Sequence, residues 1–271
     1  MGEAARRKLV WLGLAVALAY LALYATAWHL ALSNPRNIVN GTQAANRVIE
    51  HQAESMFSLL GLYAANLLTA MMAIITSIDA LSGEIASGAI QTLAAKPIRR
   101  WQILLGKWLG FVLLLTAFQL VLDGGVMAIA WAYSGYIAPH AGFGIALMWG
   151  EMVLLLTLTL LWGTRLSTLA NGVLSLGLFG VAFLGGWIEQ IGALTNHPRA
   201  VHAGIVASLI MPSEALWRRA AFEMQSPLMS AMQLGPFTSA SVPSIAMVVY
   251  AALYTAVALA VALRSFATRD L

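Results

Sequence analysis

The sequence predicts an all-α integral membrane protein with six transmembrane helices. Three observations carry that prediction. Hydrophobic residues fill 60% of the 271 positions and charged residues only 10%, whereas a soluble domain carries about 25% charge. Six apolar runs are each long enough to cross a hydrocarbon core of roughly 30 Å, which takes about 20 helical residues. Most lysines and arginines fall at the edges of those runs. The runs are continuous rather than alternating, which favours helices over a barrel. The chain has no cysteine, so disulfides, thiol nucleophiles and thiolate metal sites are excluded. The formal charge of +4 reflects residues at membrane edges, not a nucleic-acid surface.

The spans are expected at residues 9–32, 56–78, 108–133, 144–166, 169–191 and 244–263. The first is too long for a signal-peptide core and lacks a small-residue cleavage site before Ser33, so it reads as a retained helix. Arg6, Arg7 and Lys8 precede it, and Lys96, Arg99, Arg100 and Lys107 lie between spans two and three. Arg165 lies between spans four and five, and Arg264 and Arg269 follow the sixth. Arg36, Arg47, Arg199, Arg218 and Arg219 are spread over the two long loops of the other side. The positive-inside rule then places both termini in the cytoplasm of the inner membrane, as an even number of spans requires. Trp11, Trp28, Trp101, Trp108, Trp131 and Trp187 fall near the expected interfaces, where an amphipathic ring is favoured.

The segment 79–107 is the one sizeable cytoplasmic loop of this layout. It opens with DALSGE, where Ser82 or Asp79 is expected to cap a helix and Glu84 to favour its first turn. Ile85, Ala89 and Leu93 then give that helix one apolar face. Pro97 interrupts the chain, because the residue before a proline avoids the α region. Basic residues and a tryptophan pin any membrane helix, yet anchoring alone leaves the length and helical pattern of the first half unexplained. A membrane protein with no catalytic domain can expose such a helix to receive force from a soluble partner.

From Ser82 to Gly110 the chain reads S-G-E-x-x-S-G-x-I-Q-T-L-x-x-K-P-I-x-R-W-x-I-L-L-G-K-W-x-G. This run resembles the signature between spans two and three of type-2 ABC transporter permeases, the membrane subunits of ABC exporters. The resemblance implies a coupling helix docking on a separate ATP-binding subunit. By position it implies coupling roles for Glu84, Gly88, Thr92, Lys96, Pro97, Arg99 and Arg100, with Lys107 closing the motif. It further implies a dimer of permease copies, with ATP and Mg bound by the partner and no cofactor in this chain. The absence of a G-x-x-x-x-G-K-S/T stretch agrees, since such a loop is what cradles nucleotide phosphates.

Asp123 in span three and Glu151 in span four are the acids expected within the bilayer. An acid at the centre costs roughly 2.5–3.5 kcal/mol on insertion scales. Each therefore needs a proton, a partner on another helix or a hydrated cavity. Asn66, Tyr63, Gln119 and the pairs Tyr20/Tyr24 and Tyr250/Tyr254 are the candidate partners, either as interhelical glue or as the lining of a pathway. The glycines of span five, among them Gly172, Gly177 and Gly180, permit close helix approach. The resemblance makes a homodimer contact one reading of them, and packing within one subunit is the other.

The stretch 192–243 is expected to be external, with a cap at Ser213 and one short interfacial helix over MPSEALWRRAAFEM. That helix is expected to help close a pore or meet a periplasmic partner. His197 and His202 match no helical metal pair, and no metal is expected. The alternative function is a proton-coupled secondary transporter, independent of ATP, using Asp123 and Glu151. Such proteins often show inverted repeats, and this sequence shows none.

Overall fold

The computed structural model describes residues 3–33, 43–86, 99–226 and 241–269, all helices and short connections with no strand among them. In chain order the helices are α1 (Glu3–Ser33), α2 (Gln43–Ala86), α3 (Arg100–Ser134), α4 (Ala141–Gly163), α5 (Thr168–Leu194), α6 (Pro198–Ile210), α7 (Ser213–Met224) and α8 (Ile245–Ala267). Six of them, α1 to α5 and α8, are long and apolar enough to cross a membrane. The α6–α7 pair passes the same test only jointly, and it is bent by 109°.

Helix α4 is the hub. Helices α2, α3, α5, α7 and α8 all pack on it, and every residue from Glu151 to Leu160 is buried. That run, EMVLLLTLTL, is apolar on every side, the pattern of a helix surrounded by neighbours. Thr157 and Thr159 fit there because their hydroxyls donate to the carbonyls of Val153 and Leu155, at 2.6 and 2.8 Å. By contrast, α1 and α8 show exposed Trp11, Leu23, Leu30, Leu253 and Val257, the sheath a lipid-facing helix needs. Between α1 and α2, Tyr24, Trp28 and Phe57 stack into an aromatic wedge. Trp28, expected at an interface, is 2% exposed inside it.

Several helices extend beyond the expected spans, α2 and α3 the furthest. α2 begins at Gln43 and α3 at Arg100, whereas the apolar runs start at residues 56 and 108. Hydropathy registers only the oily part of a helix; the backbone ladder continues through Glu, Gln, Ala and Arg, which are good helix formers. The expected cap at Ser82 or Asp79 is likewise corrected. α2 passes through both without a break, and the Ser82 hydroxyl donates back to the Ile78 carbonyl at 2.8 Å.

The connections follow local chemistry. α3 ends at Gly135 with φ 72°, and its N–H bonds the Trp131 carbonyl at 2.8 Å. Glycine enters that left-handed conformation without the penalty a Cβ brings. Ser167 caps α5 by accepting from the Ala170 N–H at 3.4 Å. Ser213, expected to cap α7, is instead its first helical residue, with Pro212 before it.

The 192–243 stretch differs most from expectation. It holds two helices within its described part, and α7 is no surface helix: Ser213 to Arg218 are all buried. α7 packs along α4, and α6 doubles back along α5. The α5–α6 contact is backbone-close. A Cβ on Gly185 would sit 2.3 Å from the Ala207 Cβ, and one on Gly204 would sit 2.6 Å from the Gly185 carbonyl oxygen.

Candidate functional site

Two polar regions stand out in this apolar bundle. The first is at the basic end, where α2 finishes and α3 begins. Lys107 reaches back from α3 to the Ala80 carbonyl at 2.8 Å and pairs with Glu84. Both side chains are largely buried, so their pairing is less screened than that of a surface ion pair. Arg99 is extended and starts α3, its N–H donating to the Gln102 side-chain oxygen at 3.1 Å. Arg100 donates to the Arg269 carbonyl, and Arg269 in turn donates to the Thr164 carbonyl. Arg165 Nε bonds Ser265 Oγ at 2.8 Å. Thr168 bonds Asp79 at 3.1 Å, and Asn171 bonds the Ile78 carbonyl at 3.0 Å. The end of α2, the start of α3, the α4–α5 turn and the end of α8 are thus tied together.

Of the expected coupling residues, Glu84, Arg99 and Arg100 belong to this end. Gly88, Thr92, Lys96 and Pro97 lie outside the described residues, as do Ala89 and Leu93. The described part shows two helices running into and out of that segment, latched by Lys107.

The second region lies within the bundle. Glu151 on α4 is 1% exposed and accepts from Asn66 Nδ2 on α2 at 2.9 Å. Asp123 on α3 is fully buried, and its Oδ2 accepts from Gln119 Nε2, one turn earlier, at 3.0 Å. Two of the candidate partners therefore meet the two acids. The tyrosine pairs do not: Tyr20 and Tyr24 donate to the Gly61 and Phe57 carbonyls, and Tyr250 and Tyr254 to those of Leu209 and Ile210. They fasten α1 to α2 and α8 to the end of α6.

Sequence reasoning missed a third set. Glu189 on α5 and Arg218 on α7 form an ion pair at 2.8 Å with side chains 4% and 5% exposed. Arg218 also donates to Ser208, and Ser241 donates to Glu189 at 2.6 Å. Glu214, one turn before Arg218, is buried against Gly186. The available signal was the i, i+4 placement of Glu214 and Arg218, which puts both on one face of a short helix. Their expected place in an external loop hid it.

The glycines of α5 divide by neighbour. Gly172 lies against Ile78 of α2, while Gly177 and Gly180 have no atom within 4 Å of a built Cβ. The latter two border an apolar face with Val173, Leu176, Val181 and Leu184 exposed.

A family model described as "ABC-2 family transporter protein" matches residues 3–271, nearly the whole chain. The chain belongs to the ABC-2 transporter family. The match agrees with the resemblance carried by the 82–110 run, and it makes this ABC-2 protein a multi-pass membrane permease of an ABC transporter. Members of the family are typically non-catalytic membrane subunits, and membership implies an ABC ATP-binding partner. No curated protein matches the chain.

Proposed function

We propose that this permease is the membrane half of an ATP-driven exporter. Two copies assemble with two ATP-binding subunits, which bind the ATP and Mg, while this chain carries no cofactor. Both termini and the segment 79–107 lie on the cytoplasmic side of the inner membrane, and the α6–α7 hairpin sits toward the opposite side, within reach of a periplasmic partner. The face of α5 that carries Gly177 and Gly180 is offered to the second copy, while Gly172 lies against Ile78 of α2.

The latch at Lys107 is the observation that carries this reading. It joins the helix entering the 87–98 segment to the helix leaving it. A push delivered there by an ATPase moves α2 and α3 as a unit, and α4, packed on both, carries the motion inward. Glu151, held by Asn66 across α2 and α4, lies on the same route.

The test is reconstitution of the chain with its ATP-binding subunit in vesicles. ATP-dependent transport is expected, with no transport driven by a proton gradient alone. Lys107→Met is expected to leave ATP turnover in place while transport falls. Gradient-driven transport without nucleotide would overturn the reading in favour of a secondary transporter.

A further inference from the structure

The basic end of the bundle gathers four arginines around the end of α8. Arg100 of α3 donates to the Arg269 carbonyl, and Arg269 donates to the Thr164 carbonyl in the α4–α5 turn. Arg165, the next residue, donates through Nε to Ser265 Oγ at 2.8 Å, and that hydroxyl also lies 3.0 Å from Thr164 Oγ1. Arg264 precedes Ser265 on α8 and is exposed. The arginines thus form two pairs, Arg100 with Arg269 and Arg165 with Arg264, joined through Thr164 and Ser265.

None of the four has a carboxylate partner among the described residues. The acids described at this end are spent elsewhere: Glu84 pairs with Lys107, and Asp79 accepts from Thr168. Like charges gathered without a counter-charge repel one another, so the cluster is costly until an anion meets it. Arg100, Arg165 and Arg269 are nevertheless oriented, each by a bond to a carbonyl or hydroxyl oxygen, and one such bond uses one of the five N–H groups of a guanidinium. The other donors are within reach of the surface. Arg165 is exposed, and neither half-buried Arg100 nor half-buried Arg269 has a nitrogen that is both sealed and unbonded.

Depth selects the partner. Within a turn of the arginines the apolar sheath begins, with Trp101, Val261 and Leu169 exposed, Leu169 by 80%. An acidic protein surface meets cations that stand clear of lipid, whereas these lie where hydrocarbon gives way to headgroup phosphates. Guanidinium binds phosphate through a planar fork of two hydrogen bonds. A phosphodiester carries one negative charge, so two linked phosphates match two pairs of arginines. A lipid with a single phosphate leaves one pair unmet.

We propose that this cluster binds a phospholipid with two phosphates, of the cardiolipin class. One phosphate lies on Arg100 and Arg269 and the other on Arg165 and Arg264, with the acyl chains along Trp101, Leu169 and Val261. The site needs only that this end meet a membrane surface, whichever side that surface faces.

The test is native mass spectrometry of the full-length protein, delipidated in detergent and titrated with cardiolipin. One cardiolipin per chain is expected, bound at least fivefold more tightly than phosphatidylglycerol at equal phosphate, with no competition from phosphatidylcholine. A surface arginine contributes about fivefold to anionic-lipid binding, so Arg165→Gln with Arg264→Gln is expected to weaken it roughly thirtyfold. Arg264→Gln alone, which breaks no bond among the described residues, is expected to lose about fivefold and decides the matter if the double variant does not fold. Arg199→Gln with Arg219→Gln removes the same charge near the opposite end, where Arg219 reaches the Pro243 carbonyl before α8, and is expected to change nothing. Equal weakening by the two double variants would reduce the effect to net charge and overturn the proposal. Displacement by inorganic pyrophosphate at equal concentration would overturn it in favour of a free anion. Unchanged cardiolipin binding in Arg165→Gln with Arg264→Gln, alongside lost association with the ATP-binding subunit, would assign the arginines to a protein surface instead.

Discussion

The two buried acids Glu189 and Asp123 answer the same physical problem differently. Glu189 is met by Arg218 from another helix and by Ser241, so its charge and both of its oxygens are engaged. Among the described residues Asp123 is met only by a neutral amide from its own helix, and one of its oxygens is left over. An acid on a buried pair between α5 and α7 acts as a fastener. The other keeps an incomplete hydrogen-bond shell, a cost that Glu189 avoids. The position in the fold differs too: Glu189 ties α5 to α7, while Asp123 and its partner Gln119 sit one turn apart on α3.

The sharpest way to test the contrast is to break the fastener. Arg218→Met leaves Glu189 buried without its cation and is expected to cost about 3–5 kcal/mol, seen as a large fall in thermal unfolding temperature in detergent. The double variant Arg218→Met, Glu189→Leu is expected to recover most of it, because an apolar pair of similar volume removes the uncompensated charge. The next effect is intermediate. Asn66→Leu strips from Glu151 its one donor among the described residues and is expected to cost about 1–3 kcal/mol, whereas Glu151→Gln keeps a hydrogen bond and changes stability little. Unchanged transport in Glu151→Gln, with intact assembly, would mark Glu151 as glue rather than pathway.

Asp123→Asn should be milder still. Interhelical polar bonds in membranes average about 0.6 kcal/mol, and among the described residues Asp123 bonds only within its helix, so unfolding is expected to shift by less than for Arg218→Met. A loss as large as that of Arg218→Met would dissolve the contrast. The smallest effect on the isolated chain is expected for Gly177→Ala, where no atom lies within 4 Å of the added carbon. A fall in dimer fraction at unchanged chain stability, measured by native mass spectrometry, would place that face at the contact between copies.

Much of the fold was legible because the bilayer imposes a length on apolar runs, and α1, α4, α5 and α8 were read from that length alone. The polar ends of α2 and α3 were not, since helical backbone outruns hydropathy. The burial of α7 was hidden for a different reason. Glu214, Arg218, Arg219 and Glu223 make it polar in composition, and no sequence pattern states that Arg218 spends its charge on Glu189, a residue 29 positions away. The Gln119–Asp123 bond was within reach because i, i+4 spacing guarantees proximity. The oxygens left unpaired were not, because Ile145 takes the second amide hydrogen from across the bundle.

The length of α2 has a mechanical corollary. Its 44 residues, at 1.5 Å each, make a rod of roughly 66 Å, more than twice the hydrocarbon thickness of about 30 Å. Pivoting such a rod by about 5° about one tip sweeps the other through roughly 6 Å. Long levers trade force for travel: a push applied close to such a pivot would become a stroke of molecular size at the far extremity.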